Sequence, residues 1–314
     1  MPTTPALSIG FIGLGVMGGP MAGHLARAGH RLALLDADGA VASALAARLG
    51  GPAQAVSTPA EVAACSDIVI TMLPNGGVVQ QVALGAQGLV QGLRPGALLL
   101  DCSSAEPWLT QATAAALAER GATLVDAPVS GAAWGAAEAN LVFMVGGAEA
   151  DVARVRPLLD RMGRAVFHLG GVGSGHAMKC INNLITAMTF SATAEGLVIG
   201  KRYGLDPAAM VDVLNQSTGQ SWITEHHIRQ RILSRSFDDP FKLALMLKDV
   251  GIANALARET GSAAPLSGLG QQLWQAAARA AGPEASVSEL VRWVEQLSGS
   301  AITPGAGPRL QAGD

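Results

Sequence analysis

The stretch IGFIGLGVMGGPMAGHL near the N-terminus constrains the fold of this chain more than any other. An apolar run ends in Gly13-Leu-Gly15-Val-Met-Gly18 and passes directly into a helical pattern. Gly13 permits a tight turn, Gly15 lets backbone approach a ligand closely, and Gly18 lets a helix pack on the preceding strand. A Gly-rich turn can also exist with no ligand, so its surroundings decide. Here a second apolar run, RLALLD, follows the helix and ends in Asp36. The order strand, Gly loop, helix, strand, Asp is the dinucleotide-binding fingerprint. The loop (Gly13, Leu14, Gly15, Val16 and Met17) and the helix N-terminus suit a pyrophosphate. Asp36 suits a ribose 2′-hydroxyl and repels a 2′-phosphate. No arginine follows it closely, so NAD is expected in preference to NADP.

Apolar runs continue through the first half as DIVITML, ALLLDCS, TLVDAPVS, LVFMVGG and AVFHLG, with Ala-rich helical stretches between several of them. Strands apolar along most of their length are covered on both faces. Alternation of this kind builds a doubly wound, mostly parallel Rossmann-type sheet. After about residue 170 the strand-like runs stop. Helical segments follow at roughly 174–202, 207–216, 221–233, 240–260, 265–281 and 287–297. The expected architecture is an α/β domain (1–170) joined by a long helix to an all-α domain (171–298). A Gly/Pro-rich, disordered tail (299–314) is expected to end the chain.

Composition excludes several classes. The net charge of −3 argues against nucleic-acid binding. The longest apolar candidate for a membrane span, residues 181–199, contains Asn182, Asn183 and Glu195, which fits a buried helix better. Cys65, Cys102 and Cys180 are too widely spaced for a disulfide framework or a zinc site. A protein of the reducing cytoplasm is expected, with no membrane partner.

Only four of the 21 Lys plus Arg residues are lysines: Lys179, Lys201, Lys242 and Lys248. Arginine keeps its proton in a protein, whereas a buried lysine can release one. Lys179 lies in the helical stretch GHAMKCINN, with Asn183 four places on, on one helix face, and Asn182 alongside. Such a lysine can simply extend to water; it is also a candidate for proton chemistry. Elsewhere DAPVSG sets Ser130 and Gly131 at a strand end, where doubly wound folds place ligands. A hydroxyl and a free backbone N–H there suit a carboxylate.

These motifs resemble the β-hydroxyacid dehydrogenases, which include 3-hydroxyisobutyrate dehydrogenase and tartronate semialdehyde reductase. The resemblance spans about residues 7–298. It rests on GFIGLGVMGGPMA, TMLPN, DCSS, DAPVSG, MVGG, GVGSGHAMKCINN and FKLALMLKDVGIA, in the family's order. It implies hydride transfer between NAD and a small 3-hydroxy acid or its semialdehyde. Lys179 is then the general acid/base, and Asn183 holds both it and the substrate. Ser130 and Gly131 would bind the substrate carboxylate, and Lys248 would close over substrate and cofactor. Leu73, Pro74, Ser103 and Ser104 would line the nicotinamide half. Homodimers or homotetramers through the helical domain are also implied.

The sequence departs from the family at Ala132, where a second Gly follows Ser-Gly, and around Ala139–Asn140, where another Gly precedes the MVGG strand. Both lie beside the carboxylate anchor that the resemblance implies, with Trp134 close by as a pocket wall or a packed indole. Two other functions stay open. An imine or ketone reductase on this scaffold typically lacks the lysine, and a silent dinucleotide-binding scaffold would have lost it. His176 is the competing proton-transfer group, but it has no acidic partner nearby in sequence. His226 and His227 are adjacent, so they diverge on a helix and suit the surface or an interface rather than a shared metal. Cys180 is expected in the core, Trp222 in the core or else in a pocket, its own or a partner subunit's, and Asp249 is expected to anchor a helix contact.

Overall fold

The structure is a computed structural model that describes residues 6–307. The chain divides into two units, one running to Lys179 and the other beginning at Cys180.

The first unit is built on a six-stranded parallel sheet in the order β3-β2-β1-β4-β5-β6. Its strands are β1 (Ser8–Ile12), β2 (Arg31–Leu35), β3 (Ala53–Ala55), β4 (Ile68–Thr71), β5 (Leu98–Asp101) and β6 (Thr123–Asp126). The helices between and around them are α1 (Gly18–Arg27), α2 (Gly39–Leu49), α3 (Pro59–Ala64), α4 (Gly76–Leu84) and α5 (Pro107–Ala118). The period-2 geometry of a strand explains the apolar runs. Ile68, Ile70, Leu98 and Leu100 point into one core, with Met21 and Leu25 of α1 and Leu45 of α2. Val69 and Leu99 point into a second core, with Val62 of α3, Ala83 of α4 and Leu117 of α5. Each of these strands serves two interiors, so β4 and β5 have no polar face. The short edge strand β3, AQA, lacks that signal and is not legible as a strand.

TLVDAPVS, read as one strand, is two. Pro128 has no N–H to donate, and the chain leaves the parallel sheet after Asp126. It then enters a three-stranded sheet formed by β7 (Val129–Ser130), β8 (Leu141–Val145) and β9 (Gly163–His168). β7 is antiparallel to β8, and β9 is parallel to it. Between these strands lie α6 (Ala132–Ala137) and α7 (Glu149–Leu159).

Helix α8 (Ser174–Tyr203) begins in the first unit and continues into the second. The second unit adds α9 (Pro207–Asn215), a π-helix (Ile223–Leu233), α10 (Leu243–Glu259), α11 (Pro265–Ala281) and α12 (Glu289–Ser298). Its core takes Ala187, Phe190, Ala194, Leu197 and Val198 from α8, a helical spacing of buried positions. Against them pack Val250 of α10, Trp274 of α11 and Val291 of α12.

Residues 299–307 do not behave as a disordered tail. Ile302 is fully buried in this core, and its N–H donates to Glu295 Oε1 at 2.6 Å. Lys201 Nζ donates to the carbonyls of Thr303 and Gly305 at 3.1 and 2.7 Å. The expectation for 308–314 lies outside the described residues. Among the described residues no helix is long and apolar enough to cross a membrane.

Candidate active site

The sheet order places β1 between β2 and β4, the switch point where a crevice opens at the carboxyl ends of the strands. Gly13 follows β1 with φ +91°, and a Cβ there would lie 2.3 Å from the Met72 carbonyl oxygen. A Cβ on Gly18 would lie 1.9 Å from the Gly13 carbonyl oxygen, so the start of α1 sits directly on the turn. A Cβ on Gly15 would meet nothing within 4 Å. Gly13 and Gly18 are thus required by packing, whereas Gly15 faces open space. The loop fits a pyrophosphate: open room at Gly15, with the amino end of α1 just beyond it.

Asp36, at the end of β2, accepts hydrogen bonds from Leu14 N–H at 2.7 Å and from Asp38 N–H at 3.0 Å. Its carboxylate is therefore oriented by the Gly loop itself. After β4, Leu73 N–H donates to Ser103 Oγ at 2.9 Å. The two segments expected to line the nicotinamide are thereby joined. Gly131 has φ +136° beside Ser130. Both family departures retain left-handed backbone without glycine: Ala132 has φ +53° and Ala139 φ +55°. Trp134 and Trp222 are 53% and 56% exposed; for Trp222 this overturns the expectation of core packing. Its indole lies against the His226 ring instead, with centroids 5.4 Å apart.

Lys179 is half-buried in the second turn of α8. The start of that helix is held from the sheet. Asp126, the last residue of β6, accepts from Gly173 N–H at 2.7 Å and from His176 N–H at 2.9 Å. Burial pushes the Asp126 carboxyl above its ordinary range, opposed by His176 and by these two N–H groups. His176 itself is buried, with its ring among Ser103, Thr110, Asp101 and Asp126. Sequence reading gave it no acidic partner because both carboxylates arrive from distant strand ends. A signal was nonetheless present, since RLALLD, ALLLD and TLVD each close in aspartate.

In the second unit Asn183 Nδ2 donates to Asp249 Oδ2 at 2.5 Å, and Asn182 Nδ2 donates to Asn183 Oδ1 at 3.1 Å. Lys248 Nζ lies 3.3 Å from Asp249 Oδ1. Asp249 thus anchors α10 to α8 and links Asn183 to Lys248. Cys180 is buried, and its thiol is pushed up to about 12, by burial first and Asp249 second, so it stays protonated and unreactive. Lys201 and Lys242 have structural roles, at the 303–305 carbonyls and at Glu284. His227 corrects the surface assignment. It is buried, with Nε2 2.9 Å from Ser288 Oγ and Nδ1 3.4 Å from Asp239 Oδ2. Among the described residues no group of three His, Cys, Asp or Glu side chains could hold a metal.

Known proteins agree with this layout. Residues 8–170 match the family described as the NAD binding domain of 6-phosphogluconate dehydrogenase. Residues 173–294 match the NAD-binding family of NADP-dependent 3-hydroxyisobutyrate dehydrogenase. A 2-(hydroxymethyl)glutarate dehydrogenase from Eubacterium barkeri is 34% identical over 96% of this chain and 99% of its own. A 3-hydroxyisobutyrate dehydrogenase from Pseudomonas aeruginosa is 37% identical over 87% of this chain and 92% of its own. The structure of Mycobacterium tuberculosis 3-hydroxyisobutyrate dehydrogenase with L-serine is similar at a TM-score of 0.84 and 33% identity, covering 92% of this chain and 99% of that one. The chain belongs to the β-hydroxyacid dehydrogenase family and is an NAD(P)-dependent oxidoreductase of hydroxy acids.

Proposed function

We infer that this enzyme transfers a hydride between NAD and a small 3-hydroxy acid or its semialdehyde, with Lys179 as general acid/base. One observation carries the reading. The helix bearing Lys179 is pinned by Asp126 to the same strand ends that hold the Gly loop, Leu73 and Ser103. Bound NAD supplies the hydride acceptor. In the oxidation direction neutral Lys179 Nζ takes the substrate hydroxyl proton, and in reduction the ammonium returns it. The Asn183 amide orients the lysine and the hydroxyl, and is itself oriented by Asp249. The Ser130 hydroxyl and Gly131 N–H bind the substrate carboxylate, and Lys248 adds a positive charge toward substrate and cofactor. Pro74 and Ser104 line the nicotinamide with Leu73 and Ser103. Residues 1–170 form the nucleotide-binding domain, which also carries the Ser130–Gly131 carboxylate anchor, and 171–298 form the helical domain of the remaining substrate contacts and oligomer formation. Exposed Ile185 and Ile199 on α8, with Leu266 and Leu269 on α11, support a dimer or tetramer. Three cysteines spaced too widely for a disulfide framework suit a cytoplasmic setting.

The test is NAD⁺ reduction over 3-hydroxyisobutyrate, glycerate, serine, threonate, 2-(hydroxymethyl)glutarate and sulfonated analogues, repeated with Lys179→Ala and Lys179→Arg. Arginine preserves the charge but cannot serve as a neutral base near pH 7. Both variants should bind NADH yet lose about 10²–10⁴-fold in kcat. An arginine variant keeping more than about a tenth of wild-type kcat would refute the role of Lys179.

A further inference from the structure

Three titratable groups that take no part in the proton and hydride transfer are buried together at the C-terminal edge of the main sheet. Asp101 closes β5, Asp126 closes β6, and His176 lies in the first turn of α8. Both carboxylates are fully buried and His176 is 1% exposed. His176 Nε2 lies 3.0 Å from the Ser103 carbonyl oxygen. A carbonyl only accepts, so Nε2 carries the hydrogen. Nδ1 meets the Thr110 hydroxyl at 2.8 Å. The same ring lies 3.8 Å from Asp101 Oδ2 and 3.8 Å from Asp126 Oδ2.

Asp101 Oδ1 accepts from the Thr71 hydroxyl at 2.9 Å and from Ser103 N–H at 3.0 Å. Its Oδ2 is buried and accepts no hydrogen bond among the described residues. A buried carboxylate oxygen left without a donor is costly unless a positive edge faces it. The Nε2–H edge of His176 supplies that edge. The helix start is also seated without slack. A Cβ on Gly175 would lie 2.2 Å from the Met144 carbonyl oxygen, and one on Gly146 would lie 2.6 Å from Asp126 Oδ1.

A buried polar joint of this kind could serve stability alone. What it connects points further. Its arms reach Ser103 and, through the Ser103 hydroxyl, Leu73 N–H. Its other end is the helix turn that precedes Lys179. We propose that His176 is a positioning residue: held between Asp101, Asp126 and the Ser103 carbonyl, it fixes the first turn of α8, and with it Lys179, against the strand ends carrying Leu73 and Ser103. The proposal rests on the acid/base reading of Lys179 and adds the residue that aims it.

The test compares His176→Leu with His176→Gln in the full chain. A glutamine amide can donate to Ser103 and accept from Thr110, whereas leucine can do neither. Hydrogen–deuterium exchange over residues 173–181, read without nucleotide, should speed up about tenfold or more in the leucine variant. Its kcat with the best substrate of the panel should fall roughly 10–100-fold, with KM and the NADH dissociation constant within about threefold of wild type. The primary deuterium isotope effect on kcat should rise, because misaligned chemistry becomes rate-limiting. Glutamine should recover most of the exchange protection and kcat. Leucine values within about threefold of wild type for both exchange and kcat would overturn the proposal, as would a loss confined to KM or NADH binding, or no recovery by glutamine.

Should the leucine variant not fold, Asp101→Asn replaces it. Its amide nitrogen would oppose the Nε2–H, so the same pattern is expected and unchanged values overturn the proposal. If Lys179→Arg stayed active, the acid/base reading would fall, while the exchange result would still decide whether His176 holds the helix.

Discussion

Replacing Asp36 by alanine tests how the end of β2 chooses its nucleotide. The carboxylate is preset, with Oδ2 on Leu14 N–H at 2.7 Å and Oδ1 on Asp38 N–H at 3.0 Å. Each oxygen keeps a lone pair for a ribose hydroxyl. Asp38 caps α2 through Ala40 N–H at 2.9 Å and adds a second negative charge. The next basic residue along the chain is Arg48, in the last turn of α2. A 2′-hydroxyl donating to Asp36 makes a charge-assisted hydrogen bond worth about 1.5–3 kcal/mol. A 2′-phosphate there meets like charge, about 4 kcal/mol per unit pair at 4 Å and an effective dielectric near 20. Asp36 is only half-buried, so solvent and salt reduce this to about 1–2 kcal/mol. Together these terms give roughly 10²–10⁴-fold higher kcat/KM with NAD⁺ than with NADP⁺. Asp36→Ala removes both and should bring the two nucleotides within about tenfold of each other. Initial rates with each nucleotide, and fluorescence titrations with NADH and NADPH, measure this. Raising salt toward about 0.5 M should help NADP⁺ more than NAD⁺ in the wild type. A wild-type preference for NADP⁺, or an unchanged ratio in Asp36→Ala, would refute the reasoning.

Ser130→Ala should raise KM for the acid by the loss of one hydrogen bond to an anion, about 1.5–3 kcal/mol, while NADH binding barely moves. The reverse pattern would reassign Ser130 to the cofactor. Ala139→Gly should stabilise the protein by about 0.5–1 kcal/mol, seen as a higher denaturation midpoint. Ala139 holds φ +55° just after α6, and Asn140 N–H returns to the Gly135 carbonyl at 2.8 Å, a helix stop that favours glycine. Burial holds His227 below the ordinary histidine value, against Asp239 and with help from Arg231. The unfolded chain therefore takes up a proton below about pH 6.5 that the folded protein refuses, so stability declines as pH falls, by at most about 1.4 kcal/mol per pH unit. His227→Gln should flatten that decline in melts between neutral pH and about 5.5; an equally steep decline would exclude His227 as its source.

Some of this protein is legible in its residues alone because the signals are local. Gly13 and Gly18 are demanded by one turn and one helix start, and Gly15 leaves the loop between them open, so this motif is legible without any long-range knowledge. The doubly apolar strands and the helical spacing along α8 report burial through their own periodicity. Lys179 stood out through composition and through a neighbour one helical turn away. What escaped was contributed by distant segments. Whether 299–307 is ordered depends on Glu295 and Lys201, which no Gly/Pro count reveals. His227 is core because Ser288 and Phe190 enclose it, while Trp222 stays half exposed with its indole against His226. The clearest case is His176. Its partners Asp101 and Asp126 close strands that the sheet order places side by side. A strand end shows which residue it finishes on, but only the packing of β5, β6 and α8 makes two aspartates and a histidine one buried cluster.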